Sequence, residues 1–174
     1  MSPAQLRVLS YDSAHDRAVF SSGSQSLDRY LREQVNQDIR RRVAACFVAL
    51  ADEQRIADYY TLAAASLLLT DLPVSITKKL PRYPTVTAVR MRHLAVDFTY
   101  KGHELGGALL ADALDRAARS EIAAYALMVD AINDTAVAFY KHHGFIALAD
   151  CPMALFLPFS TAFPARKVGS NTGQ

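Results

Sequence analysis

Features typical of exported and membrane proteins are scarce in this sequence. It has two cysteines, Cys46 and Cys151, which are not closely spaced, so we expect reduced thiols and no disulfide framework. The longest mainly aliphatic run without a charge covers residues 59–70, which is shorter than the roughly 20 residues of a membrane-spanning helix. The first 30 residues lack the basic start and apolar run of a secretion signal. We therefore expect a cytoplasmic protein with no membrane-spanning segment.

Internal repeats, low-complexity blocks and glycine–serine linkers are absent from residues 1–160. The chain of 174 residues is also of a size that a single hydrophobic core can serve. We predict one domain over residues 1–160, followed by a loose C-terminal tail over residues 161–174.

Hydrophobic periodicity predicts a mixed α/β domain, with strands in the first half and strands alternating with helices in the second. Helices are predicted after Ser24, over residues 75–80, after residues 100–103, and between Asn133 and Gly144. The predicted strands cover residues 5–10, 44–51, 55–69, 85–97, 122–132 and 151–159.

Basic residues are unevenly distributed, although the formal net charge is only +2. Residues 72–96 contain five lysines or arginines and no acidic residue. Such a stretch is either an ordinary solvated surface or a surface that contacts the phosphates of a polyanion. The five cations are Lys78, Lys79, Arg82, Arg90 and Arg92.

A loop with the sequence YKGHELGGALL joins the predicted strand 85–97 to the next predicted helix. Backbone N–H groups at the start of a helix favour an anion, so this loop suits a phosphate group. Its glycines do not follow the dinucleotide-binding pattern, and the lysine of a P-loop is missing. From the residues alone, a phosphate cradle and close packing of the helix are equally good interpretations. The histidines have no partners at metal-binding spacing, so we predict no metal site.

Two segments together resemble the Gcn5-related N-acetyltransferase (GNAT) superfamily: this loop, and NDTAVAFYKHHGF, which begins at Asn133. Four more segments resemble the acetyltransferase toxins of type II toxin–antitoxin modules. They are FSSG from residue 20, YYTL from 59, LPRYP from 80 and LAVD from 94. The resemblance implies a single GNAT-like acyl-CoA N-acyltransferase domain, an α/β fold whose central sheet is mixed, mostly antiparallel and flanked by helices.

The resemblance also implies the residues of the active site. Tyr140 would protonate the thiolate that leaves from acetyl-CoA, and a backbone N–H of the strand around 94–96 would stabilise the oxyanion. Asn133 would border the thiol, cap a helix, or do both. The residues implied to bind acetyl-CoA are Leu94, Ala95, Val96, Lys101, Gly102, His103, Glu104, Leu105, Gly106, Gly107 and Asn133.

Toxins of this kind acetylate the α-amino group of the amino acid on charged tRNA and thereby block translation. The resemblance therefore implies aminoacyl-tRNA as the substrate, with the basic stretch 72–96 as its contact surface. It further implies a ribbon-helix-helix antitoxin, operator DNA bound through the antitoxin complex, and a homodimer. One alternative is a GNAT that acetylates a protein or a small amine. Another is a subunit with weakened catalysis that acts by binding antitoxin and operator DNA.

Some residues depart from the pattern of these toxins. Asp58 replaces the glycine before the double tyrosine, and Arg92-His93 replaces glycine–arginine before LAVD. In the phosphate loop, Lys101 replaces glutamine or arginine, and Glu104 replaces a glycine. A carboxylate about 5 Å from a bound phosphate costs about 3 kcal/mol at an effective dielectric constant of about 20, and a side chain also restricts the backbone. Glu104 therefore predicts weakened coenzyme binding, unless its carboxylate turns outward or Lys101 neutralises it.

Overall fold

The computed structural model describes residues 7–102 and 104–164, which form one seven-stranded sheet with helices on both faces. The strands are β1 (Val8–Ser10), β2 (Ala45–Leu50), β3 (Ile56–Leu68), β4 (Thr85–Val96), β5 (Ala126–Asp130), β6 (Ile146–Leu148) and β7 (Cys151–Pro158). Their order across the sheet is β1-β2-β3-β4-β5-β7-β6. β4 and β5 pair in parallel and the other neighbours pair antiparallel. This confirms the mixed, mostly antiparallel sheet expected from the sequence.

The helices lie largely where the sequence predicts them. The first ones, α1 (Gln25–Arg29) and α2 (Val35–Arg40), are joined by a π-helical turn, Tyr30–Gln34, and Ser24 caps α1. The remaining helices are α3 (Val74–Thr77), α4 (Leu105–Ala118), α5 (Asp134–His142) and α6 (Phe159–Ala162). None of these described helices combines the length and the apolarity that crossing a bilayer requires.

Two apolar cores lie on opposite faces of the sheet. Successive side chains of a strand point to opposite faces, and the double tyrosine of β3 follows this rule. Tyr60 packs with Leu109 of α4 and Tyr140 of α5 in one core. Tyr59 packs with Leu31, between α1 and α2, in the other. The sheet therefore has an α4/α5 face and an α1/α2 face.

The structure differs from the sequence-based elements at a few boundaries. β5 covers five residues, whereas the sequence predicted a strand over 122–132, because an apolar run does not show where strand pairing ends. The three-residue strand β6 was not predicted, since it is too short to show alternation. The predicted first strand begins at residue 5, in a part of the chain outside the described residues. α6 continues to Ala162, inside the predicted tail, and residues 165–174 lie outside the described ranges.

Candidate active site

β4 and β5 separate near the middle of the sheet. Their parallel pairing runs from Ala88 with Ala126 to Met91 with Val129. Beyond Met91, β4 continues along β3 as far as the pairing of Val96 with Asp58. In the described residues, that part of β4 has no partner strand on its β5 side. The predicted coenzyme contacts at 94–96 therefore lie along a gap in which backbone groups are free to bind a ligand.

α4 follows β4 through the loop at residues 97–104, and among the described residues no side chain caps its start. The first N–H groups of a helix have no partner within the helix and carry partial positive charge. Glu104, at the N-cap, has left-handed backbone torsions, with φ 58° and ψ 24°. Leu105, Gly106 and Gly107 form the first turn. This arrangement suits the phosphates of a coenzyme.

The two glycines of this turn also bring α4 close to α5. A Cβ atom on Gly106 would lie 3.6 Å from the Phe139 ring, and one on Gly107 would lie 3.6 Å from His143. The packing interpretation and the phosphate interpretation of these glycines are therefore compatible. Gly102 has φ +87°, which favours glycine. His103, also a predicted coenzyme contact, lies outside the described residues.

The side chain of Glu104 is exposed and makes no capping hydrogen bond to α4. Lys101 does not neutralise it, because the ammonium donates to the Ser22 carbonyl at 2.5 Å and lies 4.3 Å above the Phe98 ring. Of the two ways in which the sequence could tolerate Glu104, the structure favours an outward carboxylate. Glu104 nevertheless adopts left-handed torsions, so its side chain strains this backbone conformation without excluding it.

Hydrogen bonds fasten the β4–α4 loop to the segment before α1. Asp97 accepts from the Ser21 N–H at 3.0 Å, and the Ser21 carbonyl accepts from the Phe98 N–H at 2.8 Å. Burial would raise the pKa of Asp97, but the N–H groups of Ser21 and Thr99 hold that pKa below its usual value. Asp28 accepts from both the N–H and the hydroxyl of Ser22. The motifs FSSG and LAVD, together with Asp28 of α1, thus form one connected loop system.

Tyr140 lies on α5 and contributes to the core beneath the gap, with 7% of its surface exposed. Burial, and then the negative charge of Asp130, raise the pKa of Tyr140 to about 12. The phenol is therefore protonated at neutral pH, as a proton donor must be. Asn133 caps α5, since its Oδ1 accepts from the Ala136 N–H at 2.9 Å.

The structure divides the acid-free basic stretch into two groups. The connector cations, Lys78, Lys79 and Arg82, follow α3 and precede β4. The strand cations, Arg90 and Arg92, lie beside the gap and face Asp130 of β5 at 3.6 and 3.9 Å. The strand cations lie near the middle of β4, five and seven residues beyond its first residue, so at about 3.3 Å per residue they are about 17 Å or more along the strand from its start, where the connector ends. Residues 72–96 contain no acidic residue, but in the fold both strand cations face the same carboxylate, that of Asp130.

The sequence marks His93 as a departure from the toxin pattern and predicts no metal role for it, and the structure places it just beyond the last β4–β5 pair. It interrupts the β3–β4 register in a left-handed conformation, with φ 59°. Its ring stacks on Tyr30 with centroids 3.6 Å apart, and its Nδ1 lies 2.9 Å from the Thr61 hydroxyl. Burial, and then the charge of Arg92, lower the pKa of His93 to about 4. The sequence signal that could have identified His93 is the replacement of glycine–arginine before LAVD by Arg92-His93.

Asp58, another departure from the toxin pattern, is fully buried in β3. Neither carboxyl oxygen has a hydrogen-bond partner among the described residues. Burial raises the pKa of Asp58 to about 7. Within the same residues, no cluster of three or more histidine, cysteine, aspartate or glutamate side chains could hold a metal ion.

Comparison with known proteins gives consistent matches. A family model described as an acetyltransferase (GNAT) domain matches residues 24–152. A tRNA-acetylating toxin of Mycobacterium tuberculosis is 36% identical over 146 residues, which are 83% of this chain and 86% of that protein.

Solved structures also match this chain, at lower sequence identity. AtaT complexed with acetyl-methionyl-tRNAfMet has a TM-score of 0.84 at 27% identity, covering 90% of this chain and 96% of that one. AtaTR bound with AcCoA has a TM-score of 0.76 at 26% identity, covering 89% and 94%. A KacTA–DNA complex has a TM-score of 0.74 at 25% identity, covering 90% and 94%.

Proposed function

This chain belongs to the acetyltransferase (GNAT) family, and from that premise we propose that it is a toxin that transfers the acetyl group of acetyl-CoA to aminoacyl-tRNA. The acceptor is the α-amino group of the esterified amino acid, and its acetylation blocks translation. The observation that carries the choice of acceptor is the 36% identity to a tRNA-acetylating toxin over 83% of the chain.

Acetyl-CoA fits the residues at the gap. The uncapped start of α4 offers N–H groups to the pyrophosphate. The unpaired side of β4, at Leu94–Val96, offers backbone groups to the arm that carries the thioester. Acetyl-CoA supplies the activated acetyl group, and this chain supplies its position. The loop from Lys101 to Gly107, with Asn133 on the other side, completes the proposed coenzyme site.

The proposed chemistry needs little from the protein beyond orientation. An α-amino group with a pKa of about 7.7–8.0 is partly neutral at pH 7 and can attack the thioester directly. A backbone N–H at the gap stabilises the oxyanion. Tyr140 then gives its proton to the leaving thiolate. The raised pKa of Tyr140 keeps this proton on the phenol throughout the physiological pH range.

The proposed tRNA contact uses both groups of cations. The strand cations lie beside the gap, where the aminoacylated 3′ end must enter. The connector cations precede β4, in the segment between α3 and that strand. The phosphates of an acceptor stem can span the distance between the two groups. Phosphate contacts of this kind give affinity without sequence specificity.

The proposed assembly follows from the same family. We propose a domain that ends near residue 160, a homodimer, and neutralisation by a ribbon-helix-helix antitoxin that also holds operator DNA. A substrate of charged tRNA places this activity in the cytoplasm. A solved KacTA–DNA complex shares the fold of this chain and supports the proposed association with DNA.

A single assay tests the proposal against its alternatives. Radiolabelled acetyl-CoA is supplied with the purified protein and with charged tRNA, deacylated tRNA, or a mixture of ribosomal proteins. We expect label on charged tRNA alone, because deacylated tRNA offers no α-amine. Label confined to proteins would identify a different GNAT acceptor. No label on any acceptor would support a subunit that acts by binding antitoxin and DNA.

A further inference from the structure

His93 lies two residues beyond the last β4–β5 pair, at the point where the strands separate. Its left-handed backbone is strained for a non-glycine residue, so the surrounding structure must hold it in place. Two contacts do so: the stacked ring of Tyr30 and the hydroxyl of Thr61. The ring therefore has one fixed orientation at the gap.

The Thr61 hydroxyl determines which ring nitrogen carries the proton. Thr61 donates its single hydroxyl hydrogen to the Arg92 carbonyl at 3.1 Å. The same oxygen lies 2.9 Å from Nδ1 of His93. Both contacts are hydrogen bonds only if Nδ1–H donates to the hydroxyl oxygen. In the neutral ring, Nε2 then carries a lone pair.

This lone pair has no competing partner. Within the ranges 7–102 and 104–164, no hydrogen bond reaches Nε2, and Nε2 is not among the fully enclosed polar atoms without partners. A polar molecule in the gap can therefore bind it.

His93 and Tyr140 lie on opposite faces of the sheet at the same gap. The His93 ring stacks on Tyr30, which belongs to the helical segment of the α1/α2 face. Tyr140 packs in the core of the α4/α5 face, together with Met91 and Val129, the last residues that join β4 to β5. A thioester in the gap thus has a proton donor on one face and a proton acceptor on the other.

We propose that Nε2 of His93 accepts the proton of the attacking amine, so that His93 is a second catalytic residue of this acetyltransferase. The N–C bond forms first and gives the oxyanion, and one amine proton passes to His93. The C–S bond breaks as the carbonyl re-forms, and one phenolic proton passes from Tyr140 to the thiolate. Exchange with water returns both side chains to their starting states. This assignment rests on the proposed acetyl transfer to an amine.

The groups around His93 keep its ring neutral. Arg92 faces it from β4, Asp38 and Tyr30 from the helical segment, and Thr61 from β3. Burial and Arg92 outweigh Asp38, and the pKa of His93 falls to about 4. A weak base of this kind is sufficient, because the amine nitrogen becomes strongly acidic once it bonds to the acetyl carbon. Before that, the neutral ring orients the amine without competing for its proton.

Two substitutions of His93 and two of Thr61 test the role of His93. We expect His93→Phe, which keeps the stack on Tyr30, to lower kcat by about 10²-fold, with acetyl-CoA affinity unchanged by calorimetry. His93→Ala opens a slot beside Tyr30, and added imidazole should restore part of its activity. Thr61→Val should lower kcat less than His93→Phe does, and Thr61→Ser, which keeps the hydroxyl, should have the wild-type kcat. His142→Phe, at an exposed histidine of α5, is the matched control. Its kcat should equal that of the wild type, and added imidazole should not change it.

The outcomes separate this inference from the proposed function. If the wild-type protein acetylates charged tRNA or another amine, but His93→Phe keeps its rate, the role of His93 is wrong and the proposed transferase activity stands. A slow His93→Ala variant that imidazole does not rescue, together with an Nδ1 that nitrogen-15 NMR shows unprotonated, would also overturn it. If the wild-type protein acetylates no amine, both proposals are wrong.

Discussion

Replacement of Glu104 by glycine should tighten the binding of acetyl-CoA. Glu104 places a carboxylate and a left-handed backbone at the uncapped start of α4, where the proposed pyrophosphate site lies. The substitution removes the like charge and gives this position a residue for which φ 58° carries little cost. The two effects are separable, because Glu104→Gln removes only the charge.

The charge effect depends on how far water screens the exposed carboxylate. For one phosphate charge about 6 Å away, the repulsion is about 3 kcal/mol at a dielectric constant of about 20 and about 0.7 kcal/mol at about 80. These limits correspond to roughly 100-fold and 3-fold in affinity. Because Glu104 is exposed and unpaired with α4, we expect a value near the lower limit, about fivefold.

The backbone effect appears in stability instead. The left-handed conformation costs glutamate about 1–2 kcal/mol of folding free energy. Glycine avoids this cost, but its greater conformational entropy in the unfolded chain cancels part of the gain. A net gain of about 1 kcal/mol would raise Tm by about 2–4 °C in a protein of this size. This gain should be seen with Glu104→Gly and not with Glu104→Gln.

Calorimetric titration at low and high salt, together with thermal unfolding, measures both effects. We expect Glu104→Gln and Glu104→Gly to bind acetyl-CoA more tightly than wild type, with a difference that shrinks as salt rises. Equal affinity of wild type and Glu104→Gln would refute the repulsion argument. An unchanged Tm of Glu104→Gly would refute the backbone argument, whatever the affinity does.

Three further predictions concern other parts of the site. Tyr140→Phe should lower the acetylation rate by about 10²–10⁴-fold with little change in acetyl-CoA affinity; unchanged turnover would return Tyr140 to an ordinary core role. Replacing all three connector cations by alanine should reduce the log–log salt slope of tRNA binding by about 2–3, as measured by filter binding; an unchanged slope would remove them from the interface. The pKa of Asp58 is about 7 in the folded state and about 4 in the unfolded state, so the folded state binds this proton more tightly. The free energy of unfolding should therefore fall by up to about 4 kcal/mol as pH rises from about 4 to above 7. Asp58→Asn should remove this decline, and parallel Tm-versus-pH curves for the two proteins would contradict it.

Much of the fold was predictable because its local signals agree. Ser24 and Asn133 cap helices where the sequence places caps, and the apolar stripe of α4 faces the core as its spacing indicates. Asp112 is an exception. Helical spacing places it opposite the apolar stripe of α4, which predicts that it faces water. It accepts hydrogen bonds from Tyr60 and Arg116 instead. A helical pattern shows which face is apolar, but it does not show which polar residue meets a buried tyrosine.

The site was predictable as a set of segments and less so as a set of contacts. Lys101 is a suitable phosphate ligand by type, yet its ammonium bonds to the Ser22 carbonyl, 79 positions away in sequence. The role of His93 depends on Thr61 and Tyr30, which belong to two other elements. Neither contact follows from residue spacing, because each depends on how β3, β4 and the first helices meet.

The hydrogen bonds between the β4–α4 loop and the segment before α1 connect the proposed coenzyme site to the proposed acceptor site. One loop borders the proposed coenzyme site, and the other leads into the helical segment whose Tyr30 stacks on His93, the residue proposed to act on the acceptor. A ligand that orders one loop therefore orders the other, and the second ligand then loses less conformational entropy when it binds. Thermodynamic linkage requires the effect to be mutual: acetyl-CoA must raise the affinity for the acceptor by the same factor by which the acceptor raises the affinity for acetyl-CoA.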